Sequence, residues 1–107
     1  MIPCFLSLGS NIGDRLSNLH KAIDYISDSQ ENIITSKSPI YESKAMYNNN
    51  LDRFYNCVIK ITTNLSAENL LLFLKNIEQK LGRNLNDRRY SARTIDIDIL
   101  SYGQDVI

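Results

Sequence analysis

The stretch Arg93-Thr94-Ile95-Asp96-Ile97-Asp98-Ile99-Leu100 alternates apolar and polar residues with a period of two, the pattern of a β-strand with one buried face. Ile95, Ile97 and Ile99 then share one face, and Asp96 and Asp98 stand beside each other on the opposite one. Carboxylates at such positions are about 7 Å apart along the strand. At an effective dielectric of ~20 they repel by roughly 2–3 kcal/mol. Two readings of the pair are open. A rigid strand offering hard oxygen ligands suits Mg²⁺, which commonly takes one or two carboxylates and fills its shell with water and phosphate oxygens. Alternatively, a solvated strand face carries two aspartates.

Outward from this strand the chain divides into elements of clear period. Ile2, Cys4, Leu6 and Leu8 alternate as a strand. The turn Gly9-Ser10-Asn11-Ile12-Gly13-Asp14 follows, and Leu16, Leu19, Ile23 and Ile26 recur at helical spacing over residues 14–28. The β-branched run Ile33 to Tyr41 reads as a second strand, with Pro39 marking an edge or an end. Ser43 to Asp52, with its Asn48-Asn49-Asn50 run, reads as a loop. Phe54 to Thr63 is a third strand with Tyr55, Cys57, Ile59 and Ile61 on one face and Phe54, Asn56, Val58 and Lys60 on the other. Ser66 is the expected N-cap of a second helix with a Leu70, Leu74, Ile77, Leu81 stripe, and Gly82 its stop. The polar segment Arg83 to Ala92 precedes the aspartate strand. The expected fold is therefore α+β, a ferredoxin-like βαββαβ unit over residues 1–107, with both helices on one face of a predominantly antiparallel four-stranded sheet.

The 107 residues suffice for one domain with a real core. Twelve basic and twelve acidic residues leave no overall field for a nucleic acid or an anionic membrane. No apolar run approaches the ~20 residues of a membrane span. The segment Met1 to Leu6 lacks the basic and long apolar regions of a secretory signal, so a cytoplasmic location is expected. Cys4 and Cys57 form no ligand cluster and are expected to be buried and reduced. His20, the single histidine, is expected on the surface of the first helix, away from the other polar motifs.

Three polar groups remain. The turn at 9–14 lacks the spacing and lysine of a P-loop and reads first as a structural turn, second as an anion site. Phe54 and Asn56 share a strand face. An aromatic plane beside a primary amide suits a flat heterocycle, although taken alone the pair reads first as an exposed cross-strand pair. Arg83, Arg88, Arg89 and Arg93 precede the carboxylate pair. Guanidinium forks match phosphate oxygens, and such a cluster beside a metal-binding carboxylate pair is what phosphoryl transfer needs. A solvated arginine loop is the competing reading.

The segments Gly9-Ser10-Asn11-Ile12-Gly13-Asp14-Arg15, Phe54-Tyr55-Asn56, Ile77-Glu78-Gln79-Lys80-Leu81-Gly82-Arg83 and Arg93 to Ile99 stand in one register. In this order and spacing the chain resembles the 6-hydroxymethyl-7,8-dihydropterin pyrophosphokinases of folate biosynthesis. The resemblance implies a diphosphokinase that moves pyrophosphate from ATP to the pterin's hydroxymethyl oxygen with two Mg²⁺ ions and releases AMP. It implies that Asp96 and Asp98 hold the metal, Asp96 also facing the pterin. Arg83 and Arg93 would offset charge on the transferred group. Glu78, Arg89, Arg93 and Ile99 would line the ATP site, and Ser43, Lys44, Met46, Phe54 and Asn56 the pterin site. A monomer, alone, fused to or beside other folate enzymes, is expected, with neither nucleic acid nor membrane as partner.

The chain departs from the family's pattern in places. Ser91-Ala92 replaces a Gly-Pro before Arg93-Thr94, and Tyr90 stands where tryptophan is common. Lys44 replaces a proline, and Lys75 a neutral residue near the ATP base. Family members also continue beyond the position of Ile107 through a Pro-His segment and further basic residues that cover the ATP. A copy truncated at its C-terminus is thus expected, and two alternatives stand beside the enzyme: a non-catalytic domain that binds pterin or nucleotide, and a ferredoxin-like RNA-binding module.

Overall fold

The computed structural model describes residues 1–43, 53–82 and 94–107. Along the chain run β1 (Ile2–Ser10), α1 (Arg15–Asp28), β2 (Asn32–Lys37), β3 (Tyr41–Ser43), β4 (Phe54–Thr63), α2 (Ala67–Lys80), β5 (Asp96–Tyr102) and β6 (Asp105–Val106). They form one sheet in the order β2-β4-β1-β5-β6, with β3 also paired to β4. All pairings among the described residues are antiparallel. Without the short β3 and β6, the central order β2-β4-β1-β5 is that of the ferredoxin-like plan.

The sheet has six strands where the sequence pattern suggested four. The expected strand Ile33 to Tyr41 is divided, because β2 ends at Lys37 and pairing resumes only at Tyr41. Ser38 still exchanges bonds with Val58: its N–H donates to the Val58 carbonyl at 2.8 Å and its Oγ accepts from the Val58 N–H at 2.8 Å. Pro39, without an N–H, cannot extend the ladder. At the other end, Gly103 takes a φ of +61° and makes a two-residue turn with Gln104, so Asp105 folds back against Tyr102.

Both helices begin where their capping residues place them. Asp14 accepts from the Ser17 N–H at 3.0 Å, and Ser66 accepts from the Asn69 N–H at 3.2 Å. Gly82, with φ +104°, ends α2 in the left-handed conformation expected of it. On α1 the buried stripe is Leu19, Ala22 and Ile26, while Leu16 is exposed and Ile23 only half-buried. That shifts the expected stripe by one position. Leu70, Leu74 and Ile77 of α2 join it over Leu6, Leu8, Ile59, Ile61, Ile95 and Ile97 of the sheet, and one core results. The Tyr102 hydroxyl donates to the Leu65 carbonyl at 2.6 Å and ties the end of β5 to the start of α2. Among the described residues no helix covers the sheet's other face, from which Asn56, Asp96 and Asp98 project.

Candidate functional site

Strand register decides what meets on the helix-free face. Residues directly opposite in an antiparallel pair share a face. Gly9 of β1 lies opposite Asn56 of β4 on one side and Asp96 of β5 on the other. One row across the three strands therefore reads Asn56, Gly9, Asp96, and the next reads Val58, Ser7, Asp98. Asp96, distant from Asn56 in sequence, thus stands two strand spacings from it, about 10 Å, with Asp98 one row further along.

Asn56 is held firmly. Its Nδ2 donates to Ser43 Oγ at 2.8 Å, with longer contacts to the Tyr41 and Phe54 carbonyls at 3.4 Å each. β3 makes this possible by pairing Ser43 with Phe54 and Tyr41 with Asn56. Gly9 is buried beneath these side chains. A Cβ there would lie 3.0 Å from Asn56 Oδ1 and 3.2 Å from Phe54 Cδ1, so the ring and the amide approach the backbone as only glycine allows. A glycine inside a strand is itself a signal of such an approach. In the sequence Gly9 stood out only as the start of a turn.

Asp96 is half-buried and Asp98 exposed, and Ile97 between them is 5% exposed on the helix side. Beneath the pair lies Glu78 of α2, 4% exposed, whose Oε2 accepts from the Ile97 N–H at 2.8 Å. A buried carboxylate thus takes up a backbone donor of β5 where that strand's partner β6 pairs only with Ser101 and Tyr102. The helical stripe of α2 shows Glu78 beside Ile77 and Leu74, but a bond across 19 residues has no sequence signature. Ile99 lies on the helix-side face, packed against the core, opposite Leu6.

Gly82 and Thr94 lie together, since a Cβ on Gly82 would be 3.6 Å from Thr94 Oγ1. The two positions flanking 83–93 therefore stand side by side just ahead of Asp96. Arg83, Arg88, Arg89 and Arg93 of the expected phosphate group, and Lys44 and Met46 of the expected pterin loop, lie outside the described residues, as do Tyr90, Ser91 and Ala92. Of the expected site residues, then, the fold brings Ser43, Phe54, Asn56, Asp96 and Asp98 to one face, and sets Glu78 and Ile99 behind it.

The donor set fits a hard cation. Asp96 and Asp98 offer oxygens alone, and among the described residues no group of three or more His, Cys, Asp or Glu could hold a metal ion. Mg²⁺ commonly takes one or two carboxylates and fills its shell with water and phosphate oxygens. Burial pushes both thiols, Cys4 and Cys57, above their ordinary range, and they stay protonated at neutral pH. Both belong to the helix-side core. The 9–14 turn is held from within: Asn18 Nδ2 donates to Ser10 Oγ at 3.2 Å and to the Ile12 carbonyl at 3.0 Å. His20 is exposed on α1.

A family model described as 7,8-dihydro-6-hydroxymethylpterin-pyrophosphokinase matches residues 5–107. The 2-amino-4-hydroxy-6-hydroxymethyldihydropteridine pyrophosphokinase of Aquifex aeolicus is 42% identical over 107 residues, covering 100% of this chain and 65% of that protein. Its namesake in Haemophilus influenzae is 37% identical over 107 residues, 100% of this chain and 66% of the relative. The folate synthesis bifunctional protein of Arabidopsis thaliana is 37% identical over 102 residues, 95% of this chain and 21% of the relative. The chain spans about two thirds of the length of the first two relatives and a smaller share of the third.

Proposed function

The chain belongs to the 7,8-dihydro-6-hydroxymethylpterin-pyrophosphokinase family, and on that footing we propose that it serves pyrophosphoryl transfer from ATP to 6-hydroxymethyl-7,8-dihydropterin in folate biosynthesis. The observation that carries the reading is the Asn56, Gly9, Asp96 row with Asp98 beside it. A fused two-ring heterocycle stacked on Phe54, its edge on the Asn56 amide, reaches across Gly9 toward the carboxylates. Its hydroxymethyl group then lies where phosphate is handled.

In this reading the substrate hydroxyl oxygen bonds to the β-phosphorus of ATP. The bond from that phosphorus to the oxygen bridging the α-phosphate breaks, the hydroxyl proton is released, and AMP leaves. No side chain is a nucleophile, so the chain contributes position and charge. Asp96 and Asp98 would hold two Mg²⁺ ions, and the chemistry these supply when bound is neutralisation of charge on the phosphate oxygens. Ser43 keeps the Asn56 amide directed at the ring edge, and Lys44 and Met46, which follow it in sequence, are assigned to the same pterin site. Arg83 and Arg93 adjoin Gly82 and Thr94 in sequence, and their positive charge would suit the transferred phosphates. Arg89 adds a phosphate contact. Glu78 and Ile99 back the ATP-facing edge. No helix among the described residues is long and apolar enough to cross a membrane. A cytoplasmic monomer belongs to this proposal, and the bifunctional name of the Arabidopsis relative suggests work beside other folate enzymes.

The test is AMP formation from ATP and hydroxymethyldihydropterin. Asp96→Ala and Asp98→Ala should each lower turnover by about 10²–10³-fold, the scale for losing one electrostatic contact to developing charge. Undiminished turnover in both variants would sink the metal assignment. Calorimetric binding of pterin without any AMP production would instead favour a binding domain.

A further inference from the structure

The turn motif that ends in Arg15 has no part in the proposed chemistry, yet Arg15 reaches across the fold. Its Nη1 donates to the Arg53 carbonyl at 2.7 Å, a contact spanning 38 residues. Its guanidinium carbon also lies 4.0 Å from the centroid of the Tyr55 ring. One planar group thus holds the residues on either side of Phe54.

This is the end of β4 that most needs holding. The β1–β4 ladder stops at Ser10 opposite Tyr55, so Phe54 lies beyond the last β1 pair and, among the described residues, has only Ser43 of the three-residue β3 opposite it. Short ladders at strand ends open readily. Side chains alternate along a strand, so fixing the backbone at Arg53 and the Tyr55 ring on one face sets the direction of Phe54 and Asn56 on the other. Arginine can donate through its fork and stack through its plane at once, whereas lysine offers a point charge.

We propose that Arg15 is a positioning residue for the ring-binding face: its guanidinium clamps the start of β4 and holds Phe54 and Asn56 in their binding orientation. The ligand side of this inference rests on the pterin reading above; the clamp itself does not. Arg15→Ala, Arg15→Lys and Tyr55→Leu, the last keeping apolar volume while removing the ring, test it in two ways. Without ligand, amide hydrogen exchange at residues 54–56 should quicken about tenfold in each variant while Ile59 and Ile61 stay protected. With 6-hydroxymethylpterin followed by its fluorescence, the dissociation constant should rise about tenfold while that of a non-hydrolysable Mg-ATP analogue holds.

Unchanged exchange at 54–56 in the arginine variants overturns the clamp. Equal losses of pterin and nucleotide affinity also overturn it, because they mean general destabilisation. Wild-type exchange and wild-type pterin affinity in Arg15→Lys overturn the requirement for a fork. Faster exchange in the variants of a chain that binds no pterin even as wild type upholds the clamp and refutes the pterin reading instead.

Discussion

On β1, Cys4, Leu6 and Leu8 are fully buried under the helices, while Phe5, Ser7 and Gly9, each one residue further on, belong to the opposite face. The same contrast runs along β5, where Ile95 and Ile97 enter the core and Asp96 and Asp98 do not. Volume governs the helix-side face, because close-packed apolar groups lose both transfer and cavity energy when shortened. Reach and clearance govern the other. Phe54 and Asn56 pack over a backbone that lacks a side chain, and the aspartates accept mutual repulsion that a core would not tolerate. A period of two lets one strand meet both demands, and each face should answer mutation in its own way.

The largest expected effect is on the core. Leu8→Ala should cost about 2–5 kcal/mol in urea or thermal unfolding, while Ser7→Ala on the neighbouring position should stay within about 0.5 kcal/mol. Similar losses for both would abolish the division between faces. Glu78→Ala comes next and probes a link between the faces. It removes the acceptor of the Ile97 N–H, and an abandoned buried donor costs about 1–3 kcal/mol. Unfolding would measure that loss, and faster exchange of the Ile97 amide would locate it; an unaltered Ile97 amide would mean that β5 holds its place unaided. Gly9→Ala is the smallest. The added methyl would meet Asn56 Oδ1 at 3.0 Å and Phe54 Cδ1 at 3.2 Å, and shifts of a few tenths of an ångström by both side chains should keep the overpacking cost near its lower end of about 1 kcal/mol. Fluorescence titration should show it as a roughly fivefold weaker affinity for pterin, and wild-type affinity would mean the ring does not use the space over Gly9.

Much of this arrangement was legible before any coordinates. The alternation in Ile2 to Leu8, Phe54 to Thr63 and Ile95 to Ile99 marked three strands with their correct faces, and Asp14, Ser66 and Gly82 marked helix ends. Those features are local: a pleat or a cap is decided by residues within one turn. The short strands were harder. β3 holds three residues and β6 two, too few for a period to show, and each exists because a neighbouring strand offers an edge. Of the site, the aspartate pair and the Phe54, Asn56 pair were visible separately. That Asp96 lands opposite Gly9, and Gly9 opposite Asn56, was not.

Sequence alone determined the three long strands, both helices and that the two aspartates share a face, because alternation follows from the geometry of the extended chain. Tertiary structure alone decided what those faces look at. The register of β1 against β4 and β5, the Arg15 bond to Arg53 and the Glu78 bond to Ile97 join residues 19 to 98 positions apart. Such contacts form only once helix and sheet bury their apolar faces together, since a slip of one residue would turn Ile97 outward and Asp96 into the core.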